Sequence, residues 1–296
     1  VTATGDRAVA EWVLSVGGSL QLYDPKIPNP PQEYPVTRRD QLPNEPIELL
    51  GIKLKENTRI VDADLARFTG LKRLRDIDLS MSRVTNVAIA ALGDLPSLST
   101  INHGFTKVDT DCVRDLTRFG SLNSIVVNGI PVTDDDAEFS SDGLANLITL
   151  YAAGSKITDV GLRILLRNPG FRSGGFRAIT DFGVEVVRGR ENMGALQLDD
   201  SHISRIGIEA IATCPQLYEL TLKNGPLIDD ACVAEIAKLS RLKRLVLSGT
   251  AITDGCVDDL TKLTNLKELV LPKAAITPAA LARLRAALPA CDVQLQ

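Results

Sequence analysis

Histidine and aromatic side chains are scarce in this chain. Its 296 residues hold two histidines, His103 and His202, and only 4% aromatics, which removes most of the groups that general acid and base catalysis uses. Cysteine is sparse too. Five is an odd number, no pair has the C-x-x-C spacing of a zinc or redox motif, and at least one thiol lacks an intramolecular partner. No apolar run approaches the roughly 20 residues of a membrane span, and the N-terminus lacks the basic, apolar and small-residue order of a signal peptide. Excess basic charge is missing as well. A formal charge of −4 and a pI near 5.4 argue against a general nucleic-acid binder, which needs a basic face. Nor is there a nucleophile–base pair, a phosphate loop or a metal-ligand spacing. The chain reads as soluble and non-enzymatic, with no cofactor, no metal and no membrane insertion. It opens on Val1 rather than methionine, which is compatible with a removed targeting segment or upstream domain, so the compartment is left open.

What the sequence does have is a period. An aliphatic anchor followed by Thr, Ser or Asp recurs at Ile60, Val84, Val108, Val132, Ile157, Ile179, Ile203, Ile228, Ile252 and Ile276, with gaps of 24, 24, 24, 25, 22, 24, 25, 24 and 24 residues. Upstream of most anchors two aliphatics alternate, as in Leu220 and Leu222 or Leu245 and Leu247. That alternation predicts a brief strand with one buried face. Two residues past the anchor stands Asp62, Asp134, Asp159, Asp181, Asp230 or Asp254, suited to cap a helix N-terminus. Apolar residues at helical spacing follow, such as Leu162 and Leu165. A strand, turn and helix of this size cannot bury its apolar face alone, so the units must stack. Helices are wider than the roughly 4.8 Å strand spacing. The expected architecture is α/β: ten repeats over residues 47–288 in a horseshoe, with a parallel concave sheet and helices on the convex side.

The pattern "LxxLxLSGTxITDxGLxxL" closely resembles leucine-rich repeat proteins of the roughly 24 to 26 residue, cysteine-containing type found in F-box proteins and many bacteria. It is similar in particular to leucine-rich repeat proteins of planctomycete bacteria, where "TDAGL" units follow a segment much like "DRAVAEWVLSVGGSLQL" here. The resemblance implies a right-handed solenoid that binds a protein partner. Relatives of this kind can follow a kinase domain or a membrane anchor, which makes a sensor or scaffold segment of a larger protein the alternative. In the subfamily a cysteine or asparagine two residues before the anchor satisfies buried backbone groups; here Thr58, Ser82, Thr106, Ser155, Ser201 and Thr250 stand there, a hydroxyl ladder able to do the same.

Residues 1–24 read as an N-terminal cap. Val9, Trp12, Val13 and Val16 form one helix face ending at Gly17-Gly18, and Leu20 and Leu22 alternate as a strand. Residues 25–46 hold seven of the fifteen prolines and read as a loop packed across the cap; residues 289–296 read as a C-terminal finish with a Val293/Leu295 alternation. One repeat, "LLRNPGFRSGGFRAIT" (165–180), is two residues short, has three glycines and lacks clean strand aliphatics, so a kink or bulge is expected. Arg163, Arg167, Arg172, Arg177, Arg188 and Arg190 cluster around it.

Candidate sites divide into packing and partner positions. Cys112, Cys232 and Cys256 sit four past an anchor, where other repeats have Gly or Ala. A reactive thiol at a helix start is weighed against a small buried hydrophobe, and the second is favoured, with Cys232 and Cys256 unbridged. The acidic run Asp134, Asp135, Asp136 and Glu138 reads as an N-cap and solvated helix start rather than a calcium loop, and His103, in place of an inward aliphatic, as a satisfied core or edge histidine rather than a ligand. On the concave face the outward stripe runs Lys53, Asp78, Asn102, Val126, Tyr151, an unassigned residue near Ser173, then Gln197, Thr221, Val246 and Val270. Val246 and Val270 are expected to be exposed as an apolar patch. The partner-binding candidates are Tyr151, Arg172, Arg177, Gln197, Thr221, Val246 and Val270, and the favoured oligomeric state is a monomer.

Overall fold

The computed structural model describes residues 5–24, 26 and 33–296, and the side chains of residues 139–142 are left aside. Much of the proline-rich stretch "DPKIPNPPQEYP" therefore lies outside the described residues. The chain divides into two compact units, one of residues up to 132 together with 139–154, the other of residues 133–138 together with 155–296.

The first unit carries strands β1 (Ser19–Tyr23), β2 (Glu33–Val36), β3 (Leu49–Lys53), β4 (Asp76–Asp78), β5 (Thr100–Asn102), β6 (Ser124–Val126) and β7 (Thr149–Tyr151). From β3 to β7 the strands are parallel neighbours in chain order, so that Ile52, Ile77, Ile101, Ile125 and Leu150 form one buried column. Each such side chain contributes about 1.5 to 3 kcal/mol by leaving water. The short alternation exists to make this column.

The N-terminal helix Asp6–Ser15 buries Val9 and Val13, sets Trp12 edge-on to Phe68 at 6.1 Å, and stops where Gly17 takes φ 89°. Strand β1 runs antiparallel to β3 and covers the edge of the first repeat. The segment 25–46, expected as a loop, also contains β2, paired antiparallel to β1. Pro35 within it is tolerable because β2 is the outermost strand and one side of its backbone needs no ladder partner. The Arg7 guanidinium ties the rest of the segment down, donating to the carbonyls of Pro43 and Glu45 at 2.5 and 2.7 Å.

The second unit carries β8 (Ser173–Gly175), β9 (Ala195–Gln197), β10 (Glu219–Thr221), β11 (Arg244–Val246), β12 (Glu268–Leu271) and β13 (Asp292–Leu295), again parallel neighbours in chain order. Its buried column is Gly174, Leu196, Leu220, Leu245, Leu269 and Val293. The glycine marks the irregular repeat. A Cβ there would lie 2.5 Å from Cε2 of Phe176 and 3.1 Å from Cζ of Phe171, so two buried rings fill the space a leucine takes elsewhere. The alternation is missing because its volume is supplied from neighbouring positions.

The aspartates two past each anchor are not the N-caps. In the second unit the preceding residue caps: Thr158, Thr180, Ser204 and Thr253 accept from the backbone N–H of Val160, Phe182, Ile206 and Gly255. Asp134, Asp159, Asp181, Asp230 and Asp254 reach into the next repeat. Each carboxylate accepts both the backbone N–H and the hydroxyl of Thr158, Thr180, Ser204, Thr253 or Thr277, at 2.5–2.9 Å. Asp62 and Thr85 make the same staple in the first unit. Glycine four past the anchor leaves the carboxylate its room, since a Cβ on Gly183 would sit 2.2 Å from Asp159 Oδ1. Asp159→Ala should therefore lower stability by about 1 to 3 kcal/mol, because it strands two donors of Thr180. Thr180→Ala in that background should cost only its own cap to the Phe182 N–H, about 1 kcal/mol and less than it costs in the unaltered chain. Thermal denaturation of the double-mutant cycle checks this, and additive losses would argue that the staple is not an energetic unit.

The hydroxyl ladder is only partly realised. Thr106 and Thr250 donate to the carbonyls of His103 and Leu247 at 2.7 and 2.6 Å, and Ser201 accepts from the Ile179 N–H at 3.1 Å. Ser82 Oγ is buried without a partner among the described residues. In the first repeat Asn57 performs the task, accepting from the Arg59 N–H at 2.9 Å and donating to the Val16 carbonyl at 3.0 Å.

Candidate functional site on the outer sheet face

Strand register places the expected stripe side by side within each unit. Lys53, Asp78, Asn102, Val126 and Tyr151 are successive neighbours in the first, and Gly175, Gln197, Thr221, Val246 and Val270 in the second. The unassigned position is Gly175. Tyr151 thus belongs to one unit and the remaining candidates to the other.

Val246 and Val270 are not an exposed patch: they are 7% and 2% exposed, and Thr221 is 4% exposed. Two residues upstream on the same face stands a charged ladder. Arg244 lies between Glu219 and Glu268, its Nη1 3.1 Å from one carboxylate and its Nε 2.9 Å from the other. Gln197 donates to the same Glu219 carboxylate at 2.8 Å, and Thr221 donates to Asp199 at 2.7 Å. Partial burial works against the Arg244 charge, but Glu268 and Glu219 outweigh it and raise its pKa.

The result is a cavity of about 280 Å³ with Thr221, Val246 and Val270 among its buried lining and Gln197, Asp199, Lys223, Arg244, Glu268 and Gln296 around them. Ser248, two residues beyond Val246, is also buried. An apolar base under charges held in fixed geometry can select a side chain by both shape and charge. The charged ladder was legible in principle. Glu219, Arg244 and Glu268 share the stripe's face by period two, and only their distance from the "I-T-D" anchor kept them out of view.

The arginine cluster is largely occupied. Arg163 stacks 4.7 Å over Phe182, Arg167 pairs with Glu138 at 3.3 Å, Arg177 with Asp200 at 3.3 Å and Arg188 with Glu185 at 2.5 Å. Arg190 donates to the carbonyls of Leu166 and Asn168 at 2.8 and 3.0 Å. Arg172 is exposed, and its guanidinium makes no hydrogen bond or ion pair among the described residues.

The acidic run at residues 134–138 is spent on structure. Asp134 staples Thr158, Asp136 accepts the Thr133 N–H and hydroxyl at 2.8 Å, and Glu138 holds Arg167. All five cysteines are free thiols. Burial pushes Cys214 and Cys232 up to about 11, and Cys256 to about 12 with Asp230, Asp254 and Asp259 adding to the rise. A thiol in that range is not a nucleophile at neutral pH. Among the described residues no group of three His, Cys, Asp or Glu side chains is placed to hold a metal ion, and no helix is long and apolar enough to cross a membrane.

No family model and no curated protein matches the chain. Solved structures do. An internalin of Listeria monocytogenes is similar with a TM-score of 0.55 and 21% identity, over 80% of this chain and 70% of that one. Yeast Rad7, solved in complex with Elc1, is similar with a TM-score of 0.59 and 18% identity, over 81% and 73%. Both are leucine-rich repeat proteins, and at this identity the likeness shows the fold.

Proposed function

We propose that this leucine-rich repeat chain is a non-enzymatic protein-binding module whose contact surface is the outer sheet face of the second unit. The observation that carries the reading is the ladder Glu219–Arg244–Glu268 fixed above Val246 and Val270. Three strands align these charges at the strand repeat, and no backbone hydrogen bond needs them. Charged and polar side chains held in fixed geometry over a packed base suit recognition of a complementary polar partner. Rad7 was solved with a protein partner, and its fold is shared here. Tyr151 and Arg177 stand as further contact candidates, the second bound to Asp200 until a partner competes.

A photo-crosslinking residue at Gln197 should capture a discrete protein from the source cells, whereas the same residue at Glu209, on a helix, should not. Arg244→Met should weaken the captured interaction about tenfold, the loss of one well-placed contact of about 1.4 kcal/mol. Capture from Glu209 alone would place the interface on the helices and overturn the reading.

A further inference from the structure

A second surface of the same unit carries a charge pattern that the outer face does not use. The residues entering successive strands are linked by backbone hydrogen bonds in one row: the Gly194 N–H donates to Arg172, Tyr218 to Gly194, Lys243 to Tyr218 and Lys267 to Lys243. Along this rim the side chains are therefore cation, gap, aromatic, cation, cation. The gap has a purpose. A Cβ on Gly194 would lie 2.8 Å from Cε1 of Tyr218, so the tyrosine ring leans into the place of the missing side chain, toward the Arg172 rung.

One residue row further out, Arg241 donates to Gln216 and Asn265 donates to the Ser240 carbonyl. Gln216, Tyr218, Arg241, Lys243 and Asn265 together line a cavity of about 340 Å³. Arg172, Arg241, Lys243 and Lys267 are exposed, and none is ion-paired among the described residues. Of the adjacent carboxylates, Glu219 and Glu268 hold Arg244, while Asp292, whose N–H donates to the Lys267 carbonyl, accepts only from the neutral Gln294 amide and keeps its charge at that end of the rim.

We infer that this rim binds an acidic segment of a protein partner, with glutamate or aspartate side chains seated between Arg172, Arg241, Lys243 and Lys267. The inference rests on the protein-binding reading above and specifies the partner's chemistry. Unpaired cations around an aromatic ring and two carboxamides suit carboxylates and the amides that flank them. Length agrees. Four strand spacings cover about 19 Å, the span of about six extended residues. The carboxamides of Gln216 and Asn265 beside the cations suit a peptide's backbone amides, which a polyphosphate chain does not offer.

The test is fluorescence anisotropy of a labelled oligo-glutamate peptide with the full chain, beside an oligo-glutamine peptide, single-stranded DNA and inorganic phosphate. Oligo-glutamate alone should bind, more weakly as salt rises, and the Lys243→Glu/Lys267→Glu variant should lose at least about tenfold in affinity. Lys53→Glu, on the first unit's outer face, should leave the affinity unchanged. Absence of oligo-glutamate binding at low salt overturns the inference, as does binding of DNA or phosphate without it, or equal loss in Lys53→Glu. Because crosslinking at Gln197 reads the outer face independently, capture there combined with no oligo-glutamate binding removes the rim alone. Loss of both removes the protein-binding reading.

Discussion

His103→Leu should stabilise the protein at neutral pH and stabilise it more in mild acid. His103 occupies the second buried strand column of the first unit, where Leu54, Leu79 and Val127 serve in neighbouring repeats. It is fully buried; its Nε2 lies 3.3 Å from the Cys112 sulfur, and its Nδ1 has no partner among the described residues. Burial lowers its pKa from 6.5 to about 4. The imidazole stays neutral in the fold while the unfolded chain takes up a proton, so stability is complete above the unfolded value and falls with pH through the window from about 6.5 to about 4. At ~1.4 kcal/mol per pH unit the loss reaches about 3 kcal/mol. Leucine removes that loss together with the unpaired nitrogen, which itself costs about 1 to 3 kcal/mol. Urea denaturation at pH 7 and pH 4.5 measures the difference between the two chains, in which the other titrating groups cancel. An equal gain at both pH values would show that His103 does not set the acid limb.

That histidine also shows what the sequence could reveal. Its burial was legible because the 24-residue period assigns position 103 to a core column whatever residue occupies it. The same logic located the strands, the outward stripe and the small-residue cysteine sites. It failed where one residue's partner lies in another repeat. Asp159 reads by type as the cap of its own helix, yet its carboxylate accepts from Thr180 at the next helix start, 21 residues on. Val246 was expected in solvent because alternation gives the face of a side chain and not how its neighbours on that face pack, and here it is 7% exposed. Strand β2 escaped because prolines argue for a loop until an edge is known to be available. The cationic rim escaped for a related reason: Tyr218, Lys243 and Lys267 are each unremarkable surface residues, and only the backbone ladder joins them to Arg172.

The irregular repeat gives the other large effect. Gly174→Leu restores the aliphatic that every neighbouring strand of the second unit carries, and it should nevertheless destabilise strongly. Its Cβ alone would lie 2.5 and 2.7 Å from Cε2 and Cζ of Phe176, both atoms part of a fully buried ring with no solvent to retreat into. Overpacking of this kind costs about 1 to 3 kcal/mol and occasionally more. Phe176→Leu alone empties part of the same volume and should cost about 1 to 3 kcal/mol. Combined, the two changes reproduce the Leu196/Leu198 pattern of the next repeat, so the double variant should be more stable than either single one, with a coupling of about 2 kcal/mol or more. Equilibrium denaturation of the four proteins reads the coupling directly. If the losses simply add, Phe176 does not fill the glycine's space, and the short repeat has another cause. If they cancel, the three glycines and two phenylalanines of this segment are an alternative packing of an ordinary repeat, and Arg172, carried on its strand's approach, is held by a core as closed as its neighbours'.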